Sequence, residues 1–340
     1  ELPPSVDFVT ARTEFYTHPT ALPQVAESSI KQDLHRRDFT INTLAIRLDP
    51  DHWGELLDFY GGEEDLEEGV IRVLHSLSFV DDPTRILRAA RLECRLDFRL
   101  DPRSEELIDD ALPLLSRVSG DRVRHELELI FHEEEPEQAL CRLEDLDALS
   151  HIHEALQCDR WLKQRYRILR ERLDPAVWEL GSEDMEFLHL ALLAYRLGEA
   201  ELRALSERLK VKREIEDDLL LVHNLRQRLS ELLESTRPSE IYHLLQPYPA
   251  RVTAVVWIAS DSGVVQERLI RYQTTWRFVE PELTGEDLQE MGLKPGPLFG
   301  HLLRGLRDAR LNGGVTTRVE EKALVERILG AQDQFEEEGL

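Results

Sequence analysis

The chain is poor in cysteine and methionine, and it lacks any long apolar run. Only 3 Cys and 2 Met occur among its 340 residues. Cys94, Cys141 and Cys158 are widely spaced and include no Cys-x-x-Cys pair, which argues against a zinc site and against a disulfide framework. We therefore expect buried or nearly buried thiols in a reducing cytoplasm. No apolar run approaches the ~18 residues of a membrane span, and residues 1–4 show no secretory signal.

Basic charge is also scarce. The 42 Lys and Arg residues face 67 Asp and Glu residues, which gives a formal net charge of −25. This balance excludes a strongly basic nucleic-acid binder, but local basic stripes still allow RNA as a partner. Two such stripes occur on predicted helices, and solvated helix faces are the alternative interpretation. They comprise Arg160, Lys163, Arg165, Arg167, Arg170 and Arg172, and then Arg208, Lys210, Lys212 and Arg213.

The pattern of apolar residues divides the chain into a mixed start and a long helical remainder. Strand-like segments are expected at Val6–Ala11, Phe39–Ile46 and Glu55–Phe59. Three short strands make a poor independent core, so we expect them to complete a larger sheet. From Asp82 onward the spacing is helical. The sequence therefore predicts an α+β fold that is predominantly helical.

A carboxylate and an arginine stand three residues apart at the start of this helical region. Asp82 precedes Pro83, a pair typical of a helix start, and Arg85, Arg88 and Arg91 follow at helical spacing. Cytosine and adenine each present an amino donor beside a ring-nitrogen acceptor. A carboxylate and a guanidinium can therefore read both bases and reject uracil and guanine. The alternative from spacing alone is a helix cap followed by solvated arginines.

Three ions lead directly into an apolar segment at Arg36–Asn42. Charge-assisted hydrogen bonds from Arg37, with Asp38 beside it, could hold triphosphate oxygens or a ribose. A cluster of surface salt bridges is the alternative. Asp7 stands among the apolar residues of a predicted strand. One carboxylate does not make a Mg²⁺ site, and an Asp at a strand edge is the alternative there.

Taken in order, the segments Arg36–Asn42, Leu57–Gly62 and Asp81–Arg91 resemble the class II tRNA nucleotidyltransferase and bacterial poly(A) polymerase family. The resemblance is close from Val6 to about Leu149 and returns at residues 283–297. It implies the C-terminal part of a nucleotidyltransferase α/β head, followed by an all-α neck, body and tail, with the tail binding tRNA. The implied bounds are 1–75 for the head, 76–150 for the neck, 151–237 for the body and 238–340 for the tail.

The resemblance also implies roles for single residues. Arg37 is expected to contact the incoming nucleotide, with Asp38 near its sugar. Asp82 and Arg85 are expected to read the base of CTP or ATP. The neighbouring Arg88 and Arg91 would hold the nucleotide from the same helix. The segment 119–127 matches a later neck motif that supports this helix, and Asp58, Gly61 and Gly62 would link head and neck.

The main departure from the family pattern concerns the catalytic metal. Asp7 would be a third carboxylate beside the Mg²⁺ ions, but the Asp-x-Asp that binds them is expected upstream of it. We therefore expect a fragment that is inactive alone, from an enzyme that adds C and/or A to the 3′ end of tRNA. A bacterial poly(A) polymerase is the first alternative. A non-catalytic RNA-binding module that retains the nucleotide pocket, and an all-helical scaffold, are alternatives of other classes.

Overall fold

The computed structural model of the protein describes residues 8–15 and 24–337. Helices dominate this part of the chain and small sheets accompany them, so the predicted α+β, predominantly helical class is confirmed. The chain forms two compact units, the first from residues 1–171 and 192–216, the second from residues 172–191 and 217–340. Among the helices that the structure describes, none combines the length and apolar character needed to cross a membrane.

The described strands are short and pair two by two. Strands β1 (Arg12–Phe15) and β2 (Gln24–Glu27) are antiparallel, as are β3 (Ala45–Ile46) and β4 (Leu56–Leu57), whereas β5 (Val70–Ile71) and β6 (Arg99–Leu100) are parallel. The 3-10 helices are Thr40–Thr43 and Trp276–Phe278.

Twenty α-helices are described along the same residues. They are α1 (Ile30–His35), α2 (Gly62–Glu68), α3 (Ser78–Asp81), α4 (Thr84–Leu96), α5 (Pro102–Glu106), α6 (Ile108–Leu115), α7 (Gly120–Phe131), α8 (Pro136–Asp145), α9 (Ala148–Ile152), α10 (Arg160–Arg172), α11 (Ser182–Leu193), α12 (Glu199–Leu209), α13 (Arg213–Gln227), α14 (Leu229–Glu234), α15 (Pro238–Leu245), α16 (Ala250–Ala259), α17 (Gly263–Thr274), α18 (Gly285–Glu290), α19 (Pro297–Leu311) and α20 (Arg318–Glu337).

Two of the strand predictions are wrong in part. Residues 8–11 of the expected first strand form no strand, and β1 begins after them at Arg12. Half of the expected strand Phe39–Ile46 is a 3-10 helix, and its strand part shrinks to β3. Polar side chains explain the turn, because the Thr43 hydroxyl donates to the carbonyl of Thr40 at 2.7 Å. The third prediction, Glu55–Phe59, contains β4.

Helix α4 is the central helix of the first unit and packs against α7 and α8. Ile86 and Leu87 are fully buried on its apolar face. Full burial of such side chains contributes roughly 1.5–3 kcal/mol each. The helix begins at Thr84, later than predicted, and Asp82 instead follows the last residue of α3. Because α4 is anchored by its core face, the arginines on its other side are held in fixed positions.

In the second unit, α18, α19 and α20 pack around a small apolar cluster. Leu288 and Leu306 are fully buried in it, together with Val325. Glu321 is also fully buried, and its carboxylate accepts the backbone N–H groups of Leu283 and Glu282 at 2.8 and 3.1 Å. Arg310 forms an ion pair with the same carboxylate. The predicted turn at 292–297 connects α18 to α19.

The cysteine prediction is wrong for two of the three residues. Cys141 on α8 and Cys158 before α10 form a disulfide with a Cα–Cα separation of 4.8 Å. Their spacing of 17 residues carries no local signal, because the intervening α9 brings the chain back to α8. Cys94 is a free thiol, and burial raises its pKa to about 11.

Candidate functional site

A cleft in the first unit gathers the polar residues that the sequence analysis singled out. Its volume is about 760 Å³. The segment after α1, the start of α4 and the first turns of α7 supply its walls. Its lining residues are Arg36, Arg37, Asp38, Asn42, Asp82, Thr84, Arg85, Arg88, Asp121, Arg122, His125 and Glu126. Such a polar cleft suits a charged, hydrogen-bonding ligand.

Hydrogen bonds from Thr84 and Arg122 hold the carboxylate of Asp82. One of its oxygens, Oδ1, accepts from the backbone N–H of Thr84 at 3.1 Å and from the Thr84 hydroxyl at 2.7 Å. The same oxygen accepts from Nη2 of Arg122 at 2.7 Å. Asp82 thus connects the start of α4 to the start of α7, and its carboxylate stays in the cleft wall.

Arg85 lies at the floor of the cleft and is almost entirely buried. Its Nη1 donates to the hydroxyl of Ser78 at 2.6 Å, and its Nη2 donates to the backbone carbonyl of Arg36 at 2.8 Å. These bonds fix the plane of the guanidinium. Arg85 and Asp82 therefore line the same cleft with defined orientations, as a base-reading pair requires.

Arg88 lies one turn along α4 and pairs with two carboxylates. Its Nε and Nη2 donate to Oδ2 of Asp38 at 2.8 and 2.6 Å, and its Nη1 lies 3.5 Å from Oε1 of Glu126. The other oxygen of Asp38, Oδ1, accepts from the Asn42 amide at 2.9 Å and from the backbone of Phe39 at 3.0 Å. The arginine therefore joins the segment 36–42 to α7.

The two carboxylates beside Arg88 have opposite pKa shifts. Burial raises the pKa of Asp38, but the Arg88 charge and hydrogen bonds from Asn42, Arg88 and Phe39 outweigh it, so the net pKa is lowered. Burial raises the pKa of Glu126, and the Arg88 charge offsets only part of that effect. Its Oε2 is buried and makes no hydrogen bond within the part of the chain that the structure describes.

Arg36 and Arg37 share a buried carboxylate behind the cleft. Asp33 accepts from Nη2 of Arg36 at 2.9 Å and lies 3.5 Å from Nη2 of Arg37. Burial raises the pKa of Asp33, but hydrogen bonds from the Arg12 backbone and from Arg36 lower it overall. The Arg37 side chain is 43% exposed, so it can reach a ligand.

A tight turn places the segment 40–43 beside α2. The Asp58 carboxylate accepts backbone N–H groups of Gly62 and Glu63 at 2.9 and 3.0 Å. Gly61 has φ +74°, and a Cβ on Gly62 would lie only 2.4 Å from the Thr40 carbonyl oxygen. Both glycines are therefore required by the backbone.

The structure brings together most of the predicted site residues. Arg37, Asp38, Asp82, Arg85 and Arg88 all line the cleft. Two predicted residues are not placed there. Arg91 is not among the lining residues, because it turns to the other side of α4 and donates to Glu133 at 3.0 Å, and Asp7 lies outside the described residues.

Arg122 and Glu126 are lining residues to which the sequence analysis gave no individual role. Their spacing of four residues on α7 is the signal that could have found them, since it places both on one helix face. Some of the predicted basic stripe is structural instead. Arg165 is 1% exposed and its guanidinium lies over the Trp161 ring, and Arg208 donates to the Val118 and Leu115 carbonyls.

The described residues do not form a metal site. No group of three or more His, Cys, Asp or Glu side chains that could hold a metal occurs among residues 8–15 and 24–337. The cleft supplies guanidinium donors together with the carboxylates of Asp38, Asp82, Asp121 and Glu126, a set that suits phosphate, sugar and base recognition.

Comparison with protein families gives two matches in the first part of the chain. Residues 2–72 match the model of the poly A polymerase head domain. Residues 97–159 match a model described as the probable RNA and SrmB-binding site of polymerase A. The cleft residues between Arg36 and Asn42 lie within the first match, and those between Asp121 and Glu126 lie within the second. Those between Asp82 and Arg88 lie between the two matches.

Curated relatives extend the similarity over nearly the whole chain. An A-adding tRNA nucleotidyltransferase of Geobacter sulfurreducens is 34% identical over 95% of this chain and 38% of its own length. Another, from Halalkalibacterium halodurans, is 34% identical over 88% of this chain and 68% of its own length. The chain thus spans well under half of the first relative and about two thirds of the second.

Solved structures show the same similarity over most of the chain. The apo form II of a CCA-adding enzyme has a TM-score of 0.81 and 33% identity, covering 95% of this chain and 76% of that one. The Thermotoga maritima CCA-adding enzyme complexed with tRNA has a TM-score of 0.74 and 31% identity, over 88% and 74% of the two chains. A CCA-adding enzyme complexed with ATP has a TM-score of 0.74 and 32% identity, over 89% and 72%. The chain therefore belongs to the family of tRNA nucleotidyltransferases and poly(A) polymerases.

Proposed function

We propose that the protein adds C and/or A to the 3′ end of tRNA without a nucleic-acid template. The observation that carries this proposal is the juxtaposition of Asp82 and Arg85 in the wall of the cleft, each held by other residues. A carboxylate accepts a hydrogen bond from the amino group of cytosine or adenine, and a guanidinium donates one to the adjacent ring nitrogen. The relatives named as tRNA nucleotidyltransferases support the same reaction.

The rest of the cleft would hold the sugar and the phosphates. Arg37 is the exposed cation at its edge, and Arg88 with Asp38 forms the opposite wall. Guanidinium groups bind phosphate oxygens through paired, charge-assisted hydrogen bonds. We propose that these residues position CTP or ATP so that its base reaches Asp82. Arg91 has no place in this scheme, because its guanidinium is bonded to Glu133.

Mg²⁺ is proposed for the whole protein and not for the described part of the chain. Phosphoryl transfer of this type uses metal ions held by several carboxylates, and the described residues do not form such a group. Asp7 remains the predicted catalytic carboxylate and metal ligand. We further propose that the protein acts in the bacterial cytoplasm, in keeping with a tRNA substrate.

A poly(A) polymerase is the second candidate, because the head of the chain matches the poly A polymerase model. The two functions differ in product length. The natural protein in its full length is given a tRNA that lacks its 3′ end, with Mg²⁺, CTP and ATP, and the products are sequenced. One to three defined additions support the proposal, whereas a long A tract supports the polymerase.

The same assay with Arg85→Ala tests the site. We expect this variant to lose nearly all nucleotide addition, because the base would lack its ring-nitrogen donor. Arg95→Ala is the matched control, since Arg95 lies on the same helix, is mostly exposed and does not line the cleft. Titration of the chain with CTP and ATP separates binding from catalysis. Equal activity of Arg85→Ala and Arg95→Ala would contradict the assignment.

A further inference from the structure

We propose that Arg122 is a positioning residue for base selection, an inference that rests on the proposed function and assigns a role to a residue outside the predicted pair. Arg122 lies in the first turn of α7, and its Nη2 donates to Oδ1 of Asp82 at 2.7 Å. It would not touch the base. It would act by fixing which oxygen of Asp82 the base meets.

The hydrogen bonds of Asp82 are divided unevenly between its two oxygens. Three donors converge on Oδ1, namely the N–H and hydroxyl of Thr84 and the guanidinium of Arg122. A carboxylate oxygen has two lone pairs, so this oxygen has no capacity for a further partner. Within the described residues, Oδ2 of Asp82 accepts no hydrogen bond. One oxygen is therefore committed to the protein and the other is left for a ligand.

A carboxylate held in this way discriminates by repulsion as well as by attraction. The fixed Oδ2 accepts a hydrogen bond from the amino group of cytosine or adenine. Uracil presents a carbonyl oxygen at the same place, and two acceptors then face each other without a proton between them. If Arg122 were absent, Oδ1 would keep only its two bonds to the neighbouring Thr84, and water could take the place of the guanidinium and let the carboxylate reorient. Uracil would then be tolerated. The Arg122 guanidinium therefore contributes mainly to the exclusion of uracil.

Helix α7 is itself firmly attached, so Arg122 has a rigid base. A Cβ on Gly120 would lie 2.1 Å from the carbonyl oxygen of Arg208, which shows how closely the start of α7 approaches the end of α12. Arg124 strengthens this contact, because its Nη1 donates to the carbonyls of Leu209 and Lys210 at 2.9 and 2.5 Å. Arg122 and Arg124 thus share a helix but serve different contacts.

The experiment measures selectivity rather than affinity alone. The chain is titrated with CTP, ATP and UTP by calorimetry, first as the natural sequence and then as Arg122→Ala. We expect the ratio of the UTP to the CTP dissociation constant to fall about 10-fold or more in the variant, since a hydrogen bond to a charged group is lost. Arg122→Lys retains the positive charge on a single ammonium group but loses the planar guanidinium, so its ratio should be intermediate.

Arg124→Ala is the matched control on the same helix. It removes the side-chain bonds to α12 but keeps Arg122 and the close approach at Gly120, so it should lower the unfolding temperature while leaving the nucleotide ratio unchanged. Thr84→Val is a second handle on Oδ1, and it should reduce the ratio in the same direction as Arg122→Ala. Together with Arg122→Lys it decides the matter if Arg122→Ala does not fold.

The outcomes separate the two proposals. If the natural chain binds none of the three nucleotides, the proposed function fails and this inference fails with it. If the natural chain prefers CTP or ATP over UTP and folded Arg122→Ala keeps the same ratio, only the role of Arg122 is overturned. If Arg122→Ala weakens all three nucleotides equally, Arg122 supports the cleft without selecting the base, and the inference is again overturned.

Discussion

Arg88 and Asp38 are 50 residues apart in the chain, and the arginine donates two hydrogen bonds to a single carboxylate oxygen, 2.8 Å from Nε and 2.6 Å from Nη2. This pair connects the predicted sugar and phosphate side of the cleft to the helix that reads the base. Arg88→Lys removes the fork and leaves one point charge. We expect CTP and ATP to bind about 10-fold or more weakly, because hydrogen bonds to charged groups are worth roughly 1.5–3 kcal/mol.

Calorimetric titration of the chain provides that measurement. Arg95→Lys is the matched control on α4, since Arg95 is 58% exposed and only 3.9 Å from its nearest carboxylate oxygen. Undiminished nucleotide affinity in Arg88→Lys would contradict the role given to the pair.

Glu126 gives the protein a pH-dependent stability of predictable sign. Burial raises the pKa of Glu126 above its ordinary value of 4.5. A group with a raised pKa in the folded state stabilises the fold below its unfolded pKa, and that contribution is lost as the pH rises through the folded pKa. Glu126→Gln removes the titration and keeps the shape. We therefore expect the variant to become progressively more stable than the natural chain as the pH rises from 4.5.

Urea unfolding of both proteins between pH 4.5 and 8 tests this sign. If Glu126→Gln instead became less stable than the natural chain as the pH rises, the Arg88 charge would have a larger effect on the Glu126 pKa than burial. Glu128→Gln is a suitable control, because Glu128 lies on the same helix and is paired with Arg124 near the surface.

Gly62 is required by a close approach of two backbones. A Cβ there would lie 2.4 Å from the carbonyl oxygen of Thr40, so Gly62→Ala must displace α2 or the 3-10 helix. We expect a loss of about 1–3 kcal/mol in unfolding free energy. In Gly263→Ala the new methyl group meets no atom within 4 Å, and its stability should be unchanged or slightly increased. Equal stability of the two variants would show that the turn is more adaptable than described.

The disulfide between Cys141 and Cys158 closes a loop of 17 residues. Loops of about this length contribute roughly 3 kcal/mol through the unfolded state. Cys141→Ser should therefore lower the urea midpoint under non-reducing conditions, whereas the natural chain should show the same loss only when dithiothreitol is present. Cys94→Ser serves as the control.

Thiol titration checks the pairing directly. One thiol should react, and slowly, because burial raises the pKa of Cys94 to about 11. Three reactive thiols in the folded, oxidised chain would show that the pair is not formed.

Glu321 is a fully buried carboxylate in the second unit. Its carboxylate accepts two backbone N–H groups and pairs with Arg310. Glu321→Ala leaves these donors and a guanidinium without an acceptor, and we expect a loss of about 3 kcal/mol or more. Glu326→Ala, on the same helix and exposed, should have little effect. Unfolding by urea, monitored by hydrogen exchange in α18, measures both, and matching curves would rule the role out.

The cleft was predictable from sequence wherever a local pattern placed its residues. Asp82, Arg85 and Arg88 are set by helical spacing, and Arg37 and Asp38 by a single short segment. Arg91 follows the same three-residue spacing, but each step of three turns the side chain 60° around the helix. Arg91 therefore turns away from the cleft, where Glu133 accepts its hydrogen bond.

What the sequence could not predict depends on contacts between distant segments. Arg122 meets Asp82 across 40 residues, and no spacing rule connects them. Cys141 and Cys158 pair only because the chain returns past α9. The run Phe39–Ile46 has strand-like composition, yet hydroxyl groups turned inward make half of it a 3-10 helix. A tertiary hydrogen bond decides the first case and a disulfide the second, and in the third a side-chain bond to the backbone outweighs the strand preference.

Arg85 takes its orientation from two groups that lie behind it, the hydroxyl of Ser78 and the backbone carbonyl of Arg36. Substituting Arg36 changes its side chain but keeps its main-chain carbonyl, so this support of Arg85 is insensitive to mutation at position 36. The hydroxyl, in contrast, is lost when Ser78 is substituted. Ser78 is accordingly the place where a change of nucleotide preference could arise during evolution without altering any residue in the cleft lining.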